Sequence, residues 1–253
     1  MSYAIRILMH AITMVCRDPA ATVRATYVGI ALIAASVVGL LVAAPSNGPQ
    51  LLTQQAEFTT GLSNPVLVIA CFIIMAVGYL MMVAAWHRYV LLPEDKRAHG
   101  FTPDAAVVLG YFGRSILIGL LLMLLSLPVF VPVAALAAAT NSVALSAIAS
   151  IPAIAVLVYV FLRLSLILPA CTIGHDMKIR ESWEATKPLS AVIAILTVLM
   201  ALADFAINVV LGALPNTSMI VGVVNVVVSL VYALVSASVL TTLYGIAVEG
   251  RDV

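Results

Sequence analysis

The chain has 253 residues, of which 64% are hydrophobic and only 9% are charged, and its formal net charge is +1. A soluble domain carries about 25% charged residues, so this composition excludes a protein with water on all sides. The small net charge also argues against nucleic acid as a partner, because nucleic-acid binding needs a basic face. We therefore expect a single integral membrane domain over residues 1–253, with membrane lipids as partners.

The first predicted element is an amphipathic helix over Tyr3–Arg17. Arg6, His10, Thr13 and Arg17 recur at helical spacing on one face, and apolar side chains occupy the other face. This pattern is typical of a helix that lies in the headgroup plane of a membrane. Because Arg6 and His10 interrupt the apolar run, we expect no cleavable signal peptide here.

Six segments that follow are apolar over the ~20 residues that a helix needs to span a bilayer. They cover approximately residues 26–44, 66–90, 114–137, 147–169, 189–212 and 219–246. Pro128 and Pro132 lie one turn apart in the third segment, so we expect that helix to bend or loosen there. The sequence thus predicts an all-α polytopic bundle of six transmembrane helices.

The basic residues lie on one side of this predicted topology. Lysine and arginine occur near both termini and around the connectors after the second and fourth spans, and the three opposite loops contain none. The positive-inside rule then places both termini and both connectors in the cytoplasm. The interfacial amphipathic segments are expected on the same side.

An internal repeat is predicted, with three helical hairpins over approximate residues 1–95, 96–172 and 173–253. Each repeat begins with an amphipathic segment, and the second and third of these cover Pro103–Arg114 and Met177–Lys187. Parallel repeats of this kind differ from the inverted repeats that are common in secondary transporters.

Two short motifs carry a resemblance to known proteins. Trp86–Glu94, with the sequence WHRYVLLPE, is similar to a W-x-R-x-x-L-L-G-E stretch in small uncharacterised bacterial inner-membrane proteins, although Pro93 replaces the glycine. Arg163–Pro169, together with Ser182–Thr186, resembles the membrane domain that precedes some glycerophosphodiester phosphodiesterases, a pattern shared with YciC-like proteins. The resemblance implies a six-span bacterial inner-membrane fold. No hydrolase domain accompanies it, so phosphodiesterase activity is not expected.

The sequence contains few signs of catalytic chemistry. It has no phosphate loop, no H-E-x-x-H or G-x-S-x-G motif and no dinucleotide fingerprint. Cys171 and His175 are spaced to share a helix face as metal ligands, but without a second ligand pair a buried thiol and a solvated histidine are the better interpretation. We therefore expect no enzymatic activity, no metal and no cofactor.

Four residues are expected at the cytoplasmic interface. Arg88 and Arg163 would reach lipid phosphate there, and the alternative is that they bind a substrate. Trp86 and Trp183 are expected at the same depth, because indole prefers the headgroup region.

A polar cluster is predicted near the outer leaflet. Asp204 lies within the fifth span, where a carboxylate costs a few kcal/mol and so needs a partner. Asn208 follows one turn later, and Asn225 of the sixth span falls at a similar depth. We expect the three to face the bundle interior. They would either fix the two helices together or bind an ion, a proton or a lipid headgroup.

Two stripes of small residues predict close helix packing, which replaces the missing hydrophobic drive in lipid. They recur at every fourth position of the first and sixth spans: Ala31, Ala35, Gly39 and Ala43, and then Ser229, Ala233, Ala237, Thr241 and Gly245. They serve packing within the bundle or, alternatively, self-association or contact with another membrane complex.

Two functional classes follow from these features. The first is a non-enzymatic accessory or scaffold protein that organises lipid or belongs to a membrane complex, and the nearly charge-free spans favour it. The second is a transporter or channel for a small solute or lipid. It would need a polar path, for which Asp204 and a few asparagines and serines are the candidates.

Overall fold

The computed structural model describes residues 2–43, 64–93, 102–140, 142–214 and 219–252, except for the side chains of residues 143, 144, 146 and 147. Most residues of the three loops predicted opposite the basic side lie outside these ranges, as do residues 94–101 of the first connector.

The described residues form an all-α structure, which confirms the predicted fold class. Six helices, with the fourth counted as Ile148–Thr172, are long and apolar enough to cross a membrane. The α-helices, in chain order, are α1 Tyr3–Cys16, α2 Pro19–Ala43, α3 Pro65–Leu91, α4 Ala105–Thr140, α5 Val143–Leu164, α6 Ile167–Thr172, α7 Ile179–Ala185, α8 Ser190–Gly212 and α9 Met219–Ala247.

Carboxylate or amide side chains cap the start of three of the long helices. Asp18, Asn64 and Asp104 each precede a helix, and a side-chain oxygen of each accepts a hydrogen bond from the backbone N–H three residues later, at 2.9, 3.1 and 2.8 Å. Such caps satisfy donors that have no partner within the helix. Proline follows Asp18 and Asn64 at the first helical position, where its missing N–H costs nothing.

Helix α4 differs from its prediction. Pro103–Arg114 is not a separate amphipathic helix, because α4 runs without interruption from Ala105 to Thr140 and through Pro128 and Pro132. At 1.5 Å per residue its 36 residues measure about 54 Å, which exceeds the ~30 Å hydrocarbon core. The amphipathic part is therefore the beginning of a spanning helix that extends beyond the core. The threefold repeat stays a prediction.

Helices α2 and α3 approach each other closely where Gly29 faces Gly78. A Cβ atom built on Gly29 would lie 2.5 Å from the carbonyl oxygen of Gly78, and one built on Gly78 would lie 2.9 Å from that of Gly29. Two backbones approach this closely only where neither residue has a side chain.

The small-residue stripe predicted on α2 is wrong in part. Ala31 and Ala35 are exposed, Gly39 is half-buried, and only Ala43 is buried. Four of the buried small residues recur instead at every seventh position, namely Thr22, Gly29, Ser36 and Ala43, and Ala25 and Thr26 are buried beside them. Four residues advance an α-helix by about 400°, so residues spaced by four shift about 40° around the helix axis at each step. Residues spaced by seven shift only about 20° at each step and therefore stay longer on one face.

The second predicted stripe, on α9, becomes buried towards the end of the helix. Ala237, Thr241 and Gly245 are buried, and Ser229 and Ala233 are half-buried. Helix α9 packs against α3 and α1.

Helix α1 lies against the spanning helices, with contacts to α9 and α8. Ala4, Ile7, Ala11 and Val15 are buried, and the polar face from Arg6 to Arg17 is exposed. The amphipathic helix thus uses its apolar face to pack on the bundle.

Candidate functional site

Trp86 is buried inside the protein and does not face the headgroup region, and its predicted depth at the cytoplasmic interface stays a prediction. Its side chain is 0% exposed, and its indole Nε1 donates a hydrogen bond of 2.8 Å to Ser238 Oγ on α9. The next residue, His87, is also buried, and its Nδ1 lies 2.8 Å from Thr241 Oγ1. These two neighbours attach the end of α3 to α9.

Arg163 is also buried, and the expectation that it reaches lipid phosphate is wrong. Its side chain is 5% exposed. Nε donates to Thr186 Oγ1 at 3.1 Å, and Nη2 donates to the carbonyl oxygen of Trp183 at 2.7 Å. The guanidinium carbon lies 3.6 Å from the centre of the half-buried Trp183 ring, a cation–π contact. Arg163 therefore fastens α7 to α5.

Arg88 is half-buried and keeps an unused donor. Its Nη1 donates to the carbonyl oxygen of Thr172 at 2.9 Å. Its Nε is buried, and no described group accepts from it. Arg114 of α4 approaches the same segment, since its Nη2 lies 2.8 Å from Asp176 Oδ1. Two cationic side chains, one from α3 and one from α4, thus contact the end of α6 and the segment that follows it.

An apolar groove lies between α3, α4 and the α5–α6 region and has a volume of about 560 Å³. It is open along its side. Ten of the thirteen lining residues are apolar or glycine, and Tyr79, Tyr111 and Ser115 are the polar members. The lining of α4 extends from Tyr111 to Leu122, about 17 Å of helix, close to the ~15 Å thickness of one leaflet's hydrocarbon.

The end of the groove nearest the basic side is polar. The Tyr111 ring packs against the imidazole of His87, with 6.0 Å between the ring centroids. His87 Nε2 is buried and has no partner among the described residues. A neutral imidazole has one donor and one acceptor nitrogen, so His87 has one hydrogen-bonding group left unused beside Tyr111.

The predicted polar cluster is only partly assembled. Asn208 Nδ2 donates to Asp204 Oδ2 at 3.1 Å and to the Asp204 carbonyl oxygen at 2.8 Å. Asn225 is half-buried and accepts from Ser229 Oγ at 3.4 Å, and no described hydrogen bond joins Asn225 to the other two. Asp204 and Asn208 are exposed, so their predicted burial is wrong. The cluster is not assembled because the two helices have different main neighbours: α8 packs mainly on α5 and α1, and α9 packs on α1 and α3.

Cys171 and His175 each have a hydrogen-bond partner other than one another. His175 Nδ1 lies 2.8 Å from Tyr244 Oη, and Cys171 Sγ donates to the carbonyl oxygen of Leu168. In the part of the chain that the structure describes, no three histidine, cysteine or carboxylate side chains are grouped as ligands.

The fold and these sites define the class of protein: an integral membrane protein with a polytopic all-α bundle and a lateral apolar groove that ends in polar side chains. Comparison with protein-family models found no match, and searches of the curated proteins and of the solved structures found none either.

The Trp86–Ser238 hydrogen bond allows a test of the α3–α9 contact. Ser238 Oγ accepts from Trp86 and donates to the carbonyl oxygen of Leu234, so both of its roles are used. In a double-mutant cycle of Trp86→Phe and Ser238→Ala, we expect a coupling free energy of unfolding of about 1 kcal/mol. Additive losses in the two variants would mean that the bond contributes nothing.

Proposed function

We propose that the protein is a non-enzymatic lipid-binding protein of a bacterial inner membrane, where it organises lipid or acts as an accessory subunit of a membrane complex. The lateral groove between α3 and α4 carries this proposal. Its side is open, so an acyl chain could enter from the bilayer without crossing the protein. The sequence resemblance to the membrane domain of glycerophosphodiester phosphodiesterases is part of this proposal, since it implies a protein of the bacterial inner membrane.

The two ends of the groove suit the two parts of a phospholipid. The apolar part from Tyr111 to Leu122 has the length of one leaflet, which suits an acyl chain. Arg88 and Arg114 lie near the polar end, and arginine is well suited to phosphate. The buried Nε of Arg88 and Nε2 of His87 are the unused groups there.

The basic residues support a cytoplasmic position for both termini, since they lie on one side of the topology. In that orientation the groove belongs to the cytoplasmic leaflet, because its polar end lies on the basic side. A transporter or channel for a small solute or lipid is the second candidate. The observation that favours it is the exposed carboxylate of Asp204 within a spanning helix.

A photoactivatable phospholipid tests the proposal. The probe carries a diazirine in its acyl chain, and cross-linked peptides are mapped by mass spectrometry after illumination of proteoliposomes. We expect labels to concentrate on Tyr79–Val83 and Tyr111–Leu122. In Gly119→Phe, labelling of these segments should fall about tenfold, a change of ~1.4 kcal/mol in binding. The phenyl ring enters the groove, and a Cβ at Gly119 meets no atom within 4 Å.

Gly113→Phe is the matched control. Gly113 lies on the same helix, does not line the groove, and its added Cβ also meets no atom within 4 Å. Its labelling should equal that of the unmodified protein. Uniform labelling around the bundle, or equal loss in both variants, would contradict a lipid site in the groove.

A further inference from the structure

The apolar groove leads, at its end nearest the basic side, into a polar patch that consists of His87, Arg88, Tyr111, Arg114 and Thr172. On α3, His87 follows the groove residue Val83 by four positions. On α6, Thr172 follows the groove residue Leu168 by four positions. Four positions make about one helical turn, so His87 and Thr172 lie on nearly the same side of their helices as the groove lining. The polar patch therefore begins about one turn beyond the apolar walls.

Contacts between three helices assemble the polar patch. Arg88 Nη1 donates to the carbonyl oxygen of Thr172 at 2.9 Å, which joins α3 to α6. The rings of His87 and Tyr111, with 6.0 Å between their centroids, join α3 to α4. Tyr111 itself lines the groove, so the polar patch and the groove share a wall.

Arg114 brings a second guanidinium to the polar patch. Its Nη1 donates to the carbonyl oxygen of Gly110 at 3.4 Å, so its side chain turns back along α4 to the level of Tyr111. Its Nη2 is paired with Asp176 Oδ1 at 2.8 Å, on the segment that follows Thr172. Arg114 therefore reaches the same end of α6 that Arg88 reaches from α3.

The polar patch has an excess of positive charge. Arg114 is balanced by Asp176, but Arg88 forms no ion pair with any carboxylate among the described residues. The carbonyl oxygen that Arg88 contacts carries only a partial negative charge. Because Arg88 is half-buried, water compensates its charge less well than at an exposed site. An anion bound at the polar patch would supply the missing charge.

Two buried polar atoms of the polar patch also lack partners. His87 is 0% exposed, and its Nε2 has no hydrogen-bond partner among the described residues. The buried Nε of Arg88 has none either. Buried polar groups are rarely left unpaired in folded proteins, because their desolvation is then not compensated. Both atoms belong to the residues that follow the groove lining of α3, where the headgroup of a lipid in the groove would lie.

We propose that the polar patch selects an acidic phospholipid, whose phosphate carries a negative charge that no ammonium group in the headgroup balances. This inference rests on the lipid binding proposed for the groove. Guanidinium groups form charge-assisted hydrogen bonds with phosphate. A zwitterionic headgroup would bring its ammonium next to Arg88 and Arg114, and the carboxylate that the described contacts place there, Asp176, is already paired. Arg88 is the specificity-determining residue, because its charge is the one without a counter-ion in the described structure.

Two photoactivatable phospholipids test this selectivity. They carry the same diazirine acyl chain and differ only in the headgroup, phosphatidylglycerol in one and phosphatidylethanolamine in the other. Each is added in trace amount to phosphatidylcholine proteoliposomes that contain the full chain, at constant ionic strength. Labelling of Tyr111–Leu122 is divided by labelling of α8, which corrects for the amount of probe in the bilayer. We expect this ratio to be about fivefold higher for phosphatidylglycerol, the effect of one arginine beside an acidic headgroup.

Matched variants assign the selectivity to the polar patch. Arg88→Gln should abolish the preference, because it removes the charge that has no counter-ion. Arg114→Gln should weaken it, and this partly exposed position gives a second result if Arg88→Gln does not fold. Arg24→Gln is the control, since Arg24 is an exposed cation at the basic end of α2 that does not line the groove, and the preference should persist.

The other outcomes separate this inference from the proposed function. Equal ratios for the two probes, or an equal loss of preference in Arg88→Gln and Arg24→Gln, would overturn the selectivity and leave lipid binding in the groove intact. Loss of the preference on addition of inorganic phosphate would assign the polar patch to a soluble phosphate and overturn the lipid as its ligand. If neither probe labelled the groove above the rest of the bundle, both proposals would be overturned.

Discussion

Replacing Gly29 with leucine is expected to separate α2 from α3 and to lower the free energy of unfolding by about 3 kcal/mol or more. The Cβ atom alone would lie 2.5 Å from the Gly78 carbonyl oxygen and 2.6 Å from the Met82 backbone nitrogen. Both atoms belong to the backbone, so no rotamer change relieves the overlap. Denaturation in mixed detergent–lipid micelles measures the loss.

The control for this prediction is Gly113→Leu. An added Cβ at Gly113 meets no atom within 4 Å, and leucine has a better helix propensity than glycine. Its stability should be unchanged or slightly higher. If Gly29→Leu and Gly113→Leu lost equal stability, the close approach of α2 and α3 would not be what limits substitution at Gly29.

The second large effect is expected for Arg163→Met. The change removes the hydrogen bonds to Thr186 and to the Trp183 carbonyl oxygen, together with the cation–π contact. We expect a loss of about 3 kcal/mol in the free energy of unfolding, in the range for a charged group that is buried and hydrogen-bonded. Because Arg163 holds α7 on α5, proteolysis within residues 174–189 should become much faster.

Two further variants define the role of Arg163. Arg163→Lys should recover only part of the stability, because an ammonium group lacks the planar fork that reaches both partners and stacks on the indole. Arg180→Met changes an exposed cation on α7 itself, and it should have little effect. Unchanged proteolysis in Arg163→Met would show that α7 is held in place by other contacts.

The apolar groove between α3 and α4 has only a weak signal in the sequence. Tyr111, Ser115 and Gly119 recur at four-residue spacing on α4 and line it, but the exposed faces of α4 are just as apolar. A helix in lipid is apolar on every side, because protein interior and acyl chains are similar solvents. Periodicity therefore cannot separate a groove from a lipid-facing surface. The same reason explains why the sequence pattern places Ala31 and Ala35 in a packing stripe although they are exposed.

The sequence predicts part of the Asp204 cluster better than it predicts the groove. The cost of a carboxylate in hydrocarbon singles out Asp204, and helical spacing associates Asn208 with it. The pair is hydrogen-bonded as that spacing implies. The expectation of burial is wrong because α8 packs mainly on α5 and α1, and no local pattern in the sequence predicts which neighbours a helix takes.

The sequence by itself determined the all-α class and the six apolar spans, because a bilayer admits no unpaired backbone groups and a spanning helix needs about 20 apolar residues. Both requirements concern neighbouring residues in the chain, so they can be recognised in the sequence. Only the tertiary structure decided which polar side chains are buried. Trp86 meets Ser238 across 152 positions and Arg163 meets Thr186 across 23. A buried donor needs a hydrogen-bond partner, and the fold supplies that partner from another part of the chain. A local sequence pattern therefore cannot reveal it.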